Sequence, residues 1–182
     1  MKAIIYLINT GLSILLGIFI LRFIMQITKT DFRNPIAQII TKVSNPIILP
    51  LRKVIPPIKK IDTATIIATL VVSISMVLIM LSLRGISLAS LFNDPVSLVI
   101  LSLRNILSLT LTIYWVLILF SVIISWIQPN NYSPFTSFLH QLTEPVLAPV
   151  RRLLPPIGGL DITPIPVLIL LTALQQQFGM SL

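Results

Sequence analysis

Cysteine is absent from the chain, which rules out disulfides, thiolate metal sites and cysteine nucleophiles together. Acidic residues are scarce. Asp31, Asp62, Asp94, Glu144 and Asp161 are the only side-chain carboxylates, and they fall singly on turns and helix starts instead of in the pairs that acid–base chemistry uses. His140 is the single histidine, a poor basis for a metal site without cysteine or a second acidic ligand. No P-loop, HExxH, GxSxG or glycine-rich dinucleotide fingerprint occurs. These absences predict a protein that is not an enzyme, with no catalytic residue, metal site or cofactor. Charge is thin overall, at 10% of 182 residues against 55% hydrophobic, with a mean hydropathy of +1.01. A soluble domain could not hide that much apolar surface from water.

What the chain does have is four apolar runs near the ~20 residues that cross a bilayer: Ile4 to Ile27, Thr63 to Leu83, Asn105 to Ile127 and Ile162 to Phe178. The first continues past the length of a signal peptide without a small-residue cleavage site, so it is read as a retained span. Arg22 is the one charge well inside a run; its place near one end predicts that it snorkels to the headgroups. Between the second and third runs lies an apolar connector split by Asn93-Asp94-Pro95. It is either a hairpin at the interface flanked by Arg84 and Arg104, or the ends of two longer tilted helices.

The stretch Asn34-Pro35 to Asp62 recurs 99 residues later as Ser133-Pro134 to Asp161 without a gap. Pro35, Pro46, Pro50, Arg52, Pro56, Pro57 and Asp62 fall on Pro134, Pro145, Pro149, Arg151, Pro155, Pro156 and Asp161. The unit is span, basic proline-rich segment, span, giving residues 1–83 as repeat one, 84–104 as connector and 105–182 as repeat two. The expected fold is an all-α membrane protein, its repeats parallel. Asn34-Pro35 and Ser133-Pro134 predict helix starts. Apolar residues at Ile36, Ile39, Ile40 and Val43, and at Phe135, Phe138, Leu139 and Leu142, then predict short amphipathic surface helices. Asn45-Pro46 and Glu144-Pro145 are expected to break them. A further turn then carries Arg52-Lys53 or Arg151-Arg152 on its polar side, with Ile47, Leu51, Val54 or Val146, Val150, Leu153 toward lipid. Pro56-Pro57 and Pro155-Pro156 end that turn, and Asp62 or Asp161 caps the next span.

The net charge of +8 is a topology signal before it is anything else, and no nucleic acid is expected. Nine of the thirteen Lys and Arg lie in the two segments between spans: Lys29, Arg33, Lys42, Arg52, Lys53, Lys59, Lys60, Arg151 and Arg152. The positive-inside rule makes that side cytoplasmic and puts both termini opposite. Trp126 and Tyr132 read as an aromatic belt there. Arg52, Lys53, Arg151 and Arg152 are the candidate contacts for anionic lipid headgroups or a protein partner, since a guanidinium held by a proline frame can grip phosphate with two hydrogen bonds. Anchoring and topology are the plainer role for the same residues.

DFRNPIAQIITKVSNPIILPLRKVIPPIKKID and YSPFTSFLHQLTEPVLAPVRRLLPPIGGLD carry a resemblance to the YggT family over nearly the whole chain. The resemblance implies a multi-pass protein of the bacterial inner membrane or, among relatives, of chloroplast membranes. It also implies links to osmotic-stress tolerance and to cell division or membrane organisation, with no established catalytic site. A scaffold binding anionic lipid or a membrane or division-related partner is the first functional expectation. An ion or osmolyte channel, whose pore would use Ser and Thr faces, and an assembly factor for a larger membrane complex stay open, as does a homo-oligomer.

Overall fold

The structure is a computed structural model and describes residues 2–58, 62–85, 94–127, 132–153 and 161–178. Six helices account for its regular structure: α1 (Lys2–Ile27), α2 (Pro35–Val54), α3 (Thr63–Leu83), α4 (Pro95–Ile127), α5 (Pro134–Arg151) and α6 (Pro164–Phe178). Three of them, α1, α3 and α4, are long and apolar enough to cross a membrane. The fourth, α6, has 15 residues, about 22 Å at the helical rise. Helices α1, α2, α3 match α4, α5, α6 one for one, and the order apolar helix, proline-containing helix, apolar helix recurs.

The duplication extends into the packing. Phe19 of α1, Ile48 of α2 and Ala68 of α3 form one buried cluster. Ile118, Leu147 and Val167, each 99 positions later, sit together in another on α4, α5 and α6. A large Phe beside a small Ala in one repeat becomes Ile beside Val in the other, so the volume of each cluster is roughly kept. The third cluster joins the repeats: Leu16, Ile20, Ile24 and Met25 of α1 and Ala37 and Ile40 of α2 meet Phe138 and Leu142 of α5, with Met76 and Met80 of α3 alongside.

Both surface helices start where the Asn-Pro and Ser-Pro pairs predict. Asn34 accepts from the Ile36 N–H, and Ser133 and Thr136 form a reciprocal capping box. Neither helix breaks at its second Asx/Glu-Pro step. Pro46 and Pro50 lie inside α2, and Pro145 and Pro149 inside α5. The reason is their phase. Spaced by four, the prolines share a face, and all four are exposed. The carbonyls whose partners they remove therefore point away from the protein, and the opposite face keeps its bonds. Helix α2 stops before Pro56-Pro57, as expected, with Ile55 at its C-cap; Pro155 and Pro156 lie outside the described residues.

Residues 95–104 of the connector are continuous with the third span, so on this side the longer helix is realised; residues 86–93 lie outside the described part. Asp94 accepts from the backbone N–H of Ser97 at 3.1 Å and starts the helix. Ser73 of α3 donates to the Ser102 carbonyl at 2.9 Å, and Asn105 donates to Ser73 and to the Met76 sulfur. Arg104 donates to the Phe178 carbonyl at 3.1 Å, a cation at the C-terminal end of α6.

The buried Asn105–Ser73 link is expected to matter modestly. Replacing Asn105 by Ala should lower the unfolding free energy in detergent by about 1 kcal/mol, as for other polar contacts between membrane helices. Unchanged stability would mean that the contact contributes nothing.

Candidate functional site

The proline-rich segments end in two ion pairs. In repeat one, Arg52 in the last turn of α2 reaches Asp62 at the start of α3, donating from Nε at 3.0 Å and from Nη2 to the same Oδ2. In repeat two, Arg151 donates to Asp161 Oδ2 from Nε at 3.1 Å, and its Nη2 lies 3.0 Å from the same oxygen as an ion pair. The shared arginine and the shared aspartate, ten residues apart in each copy, are thus partners. Each pair ties the end of a surface helix to the root of the span that follows. The turn at Ile55 to Pro57 runs inside the first clasp.

The aspartates differ in their bonds to the backbone. Asp161 Oδ1 accepts from the Thr163 N–H at 2.9 Å, an Asx-type turn just before α6. Asp62 makes no side-chain cap bond to the backbone; its Oδ2 is taken up by Arg52, by the Thr65 hydroxyl at 2.8 Å and by the Gln26 amide at 3.3 Å. The helix start still gains from the negative charge beside it. Burial works to raise the Asp62 pKa, but the hydrogen bonds from Arg52 and Thr65 outweigh it and hold the carboxyl below its ordinary value. At Asp161, burial is likewise outweighed by the bonds from Thr163 and Arg151. Two of the five acids are therefore pinned as carboxylates, the reverse of the raised pKa that a general acid needs near neutrality.

Arg22 does not snorkel. It is 3% exposed, and its Nη1 donates to Ser44 Oγ, to Asn45 Oδ1 at 2.9 Å and to the Thr41 carbonyl at 3.4 Å. All three acceptors lie in the turn of α2 just before Pro46, which draws the guanidinium inward. One turn further along α1, Gln26 reaches Asp62 and Thr65. Arg22, Gln26, Thr65, Asp62 and Arg52 thus form a polar seam between α1, α2 and α3. Neither Arg22 nor Gln26 stands out as a site by residue type alone. A signal was present at the 99-residue offset, where Arg22 becomes Ser121 and Asn45 becomes Glu144.

That exchange alters the second clasp. Glu144 accepts from Arg151 Nη1 at 2.7 Å and 2.9 Å, so all three nitrogens of the Arg151 guanidinium are engaged. In repeat one Asn45 faces Arg22 instead, and Arg52 Nη1 makes no hydrogen bond among the described residues. Lys53 and Arg152 are exposed beside the two clasps. His140, 67% exposed, lies 3.4 Å from Glu144 on the outer side of α5. Trp126 and Tyr132 are exposed near the end of α4. The surface helices touch through Asn34, which donates to the Pro134 carbonyl at 2.6 Å, and through Gln141, which accepts from the Asp31 N–H at 2.7 Å.

Two copies of span, clasped surface helix and span match a family pattern: the CCB3/YggT profile fits residues 1–83 and 100–182. The chain belongs to the CCB3/YggT family. PA0392 of Pseudomonas aeruginosa is 36% identical over 163 residues, 90% of this chain and 81% of that protein. YggT of Escherichia coli is 34% identical over 175 residues, 94% of this chain and 86% of its own length. A partial likeness, 34% over 85 residues and 46% of this chain, links it to a chloroplast member from Arabidopsis thaliana named for cofactor assembly of complex C, CCB3, of which 47% is covered. No solved structure matches the chain.

The clasps give a pH dependence whose sign follows from the lowered Asp62 and Asp161 pKa values. The unfolded chain takes up protons first, so the stability they confer is complete above the ordinary carboxylate range and is lost as the pH falls through the folded values. Unfolding free energy in detergent should be level near neutrality and decline below about pH 4. Asp62→Asn should remove about 2 kcal/mol at pH 7, below the usual cost of breaking a fully buried pair because Arg52 is half exposed. A variant as stable as the parent at pH 7 would contradict this.

Proposed function

We propose that this CCB3/YggT protein is a non-enzymatic membrane scaffold or accessory factor. The observation that carries the reading is the pairing of α2 with α5. The two clasped helices meet over their N-terminal halves, tied by Asn34 to Pro134 and by Gln141 to Asp31, and they bear the exposed cations Lys53 and Arg152 at their C-terminal ends. A rigid basic platform of this kind suits anionic headgroups or the acidic face of a membrane protein. The platform faces the cytoplasm of a bacterial inner membrane, with both termini opposite, by the positive-inside rule. The chloroplast relative's name for cofactor assembly supports an accessory part in building or maintaining a membrane complex. Tolerance of osmotic stress and membrane organisation during division are the cellular processes we assign to it. Arg52 and Arg151 take part through the clasps, which hold the platform's shape. Transport gains no specific support, because the polar groups between α3 and α4 are spent on one another.

The test uses Lys53→Ala/Arg152→Ala, which removes exposed charge while leaving both clasps intact. In a strain lacking the gene, the parent protein should restore growth after osmotic downshift and the inserted, folded variant should not. A lost cation near an anionic surface is worth about 1 kcal/mol, so retention of anionic lipid by the purified variant should fall at least about fivefold. Full rescue together with unchanged lipid retention would remove the platform reading. Ion flux from sealed proteoliposomes at high protein density would replace it with transport.

A further inference from the structure

The two surface helices share a motif but differ in what they leave open. On α2, Ile39, Val43, Pro46, Ile47, Pro50 and Val54 recur at three- and four-residue steps and are all exposed, Ile39 at 62% and Val54 at 79%. They make one apolar stripe along the helix. It lies away from the buried face of Ala37, Ile40, Ser44 and Ile48. The counterparts of Ile39 and Val43 on α5 are Phe138 and Leu142, 3% and 0% exposed, packed into the core that joins the repeats. Only repeat one presents the stripe along the whole length of its helix.

The charges diverge in the same direction. Lys42 and Lys53 are exposed and, eleven residues apart, lie on one line bordering the α2 stripe. Arg52 lies further round on that edge, 39% exposed at its side chain, with Nη1 unspent among the described residues. Its repeat-two counterpart is fully engaged by Asp161 and Glu144. The formal charges of Arg22, Arg52 and Asp62 sum to one positive; those of Arg151, Glu144 and Asp161 sum to one negative. One clasp attracts an anion and the other, net negative, repels it.

We infer that the repeats have divided their roles. Helix α2 is the lipid-docking copy, seating acyl chains on its stripe and the phosphate of an anionic phospholipid against Arg52 Nη1 and Lys53, with Lys42 about 16 Å away along the helix as a second cation on the border of the stripe, while α5 is the structural copy that holds α2 against the bundle. A second copy of the chain is a poorer occupant, since the cationic edge would face itself, whereas a phosphate complements it. The inference rests on the platform reading and assigns its lipid contact to one repeat.

Native mass spectrometry of the full chain, released from dodecyl maltoside micelles containing equal phosphatidylglycerol and phosphatidylcholine, tests the assignment. The parent should keep phosphatidylglycerol in preference. Asn45→Glu, which brings into repeat one the carboxylate that engages Arg151 in repeat two, should cut that retention about tenfold. Val43→Ser, on the exposed stripe and harmless to the core, should lower it several-fold and serves should Asn45→Glu fail to fold. Arg152→Ala should leave it unchanged. Retention that survives both Asn45→Glu and Val43→Ser, or that falls as far with Arg152→Ala, overturns the division of roles while leaving the platform reading standing. Displacement by millimolar inorganic phosphate, or a dimer in place of the lipid, overturns the choice of occupant. A parent with no preference for phosphatidylglycerol defeats the platform's lipid contact itself.

Discussion

Each repeat is closed by one ion pair. An arginine in the last turn of a surface helix meets an aspartate at the root of the next span, ten residues on. The geometry solves two problems at once. The chain must turn from running along the interface to running through the bilayer, and the N-terminal end of the incoming span carries unpaired N–H groups and a partial positive charge. The aspartate eases the second, and the arginine binds the aspartate to the helix just completed. Because both partners are partly or largely withdrawn from solvent, losing either leaves an uncompensated charge where water is scarce. The positions of the exposed cations, of the α2–α5 contact and of the α2 stripe all follow from where these clasps hold the surface helices.

Much of this architecture was legible because the chain states it twice. Span limits followed from apolar length, and the second span is Thr63 to Leu83 both by sequence and in the structure. The helix starts followed from Asn34-Pro35 and Ser133-Pro134. Repetition at full register marked Arg52, Asp62 and their counterparts as important, but spacing alone assigned them separate tasks, the arginine toward lipid and the aspartate toward a helix end. A ten-residue separation across two prolines carries no periodic signature, so the mutual pairing emerged only once the chain's return was known. Prolines misled in the opposite way. A break at Pro46 is the correct local expectation, and it is overridden because Pro46 and Pro50 share the outward face of a helix whose other side is packed. Arg22 was misplaced for a similar reason: its depth suggested snorkelling, whereas three acceptors in the turn before Pro46 offer it a nearer partner than the headgroups.

The differences between the copies carry as much as the identities. Arg22 and Asn45 in one repeat become Ser121 and Glu144 in the other, so each clasp recruits a third charged group, of opposite sign in the two cases. Duplication supplied two equivalent frames. Packing then buried Phe138 and Leu142 of α5 and left their counterparts on α2, Ile39 and Val43, exposed. The two halves of the molecule therefore differ in what they leave exposed, although they share one frame.

The most direct test of the account is a double-mutant cycle on each clasp, Arg52→Ala with Asp62→Ala and Arg151→Ala with Asp161→Ala, read as unfolding free energy of the purified protein in detergent at neutral pH. Coupling of at least about 1 kcal/mol in both repeats is the expected result for partners in direct contact. Effects that add to within about 0.3 kcal/mol in either repeat would mean that the repeated arginine and aspartate do not act together, and the clasp would be lost as the organising interaction.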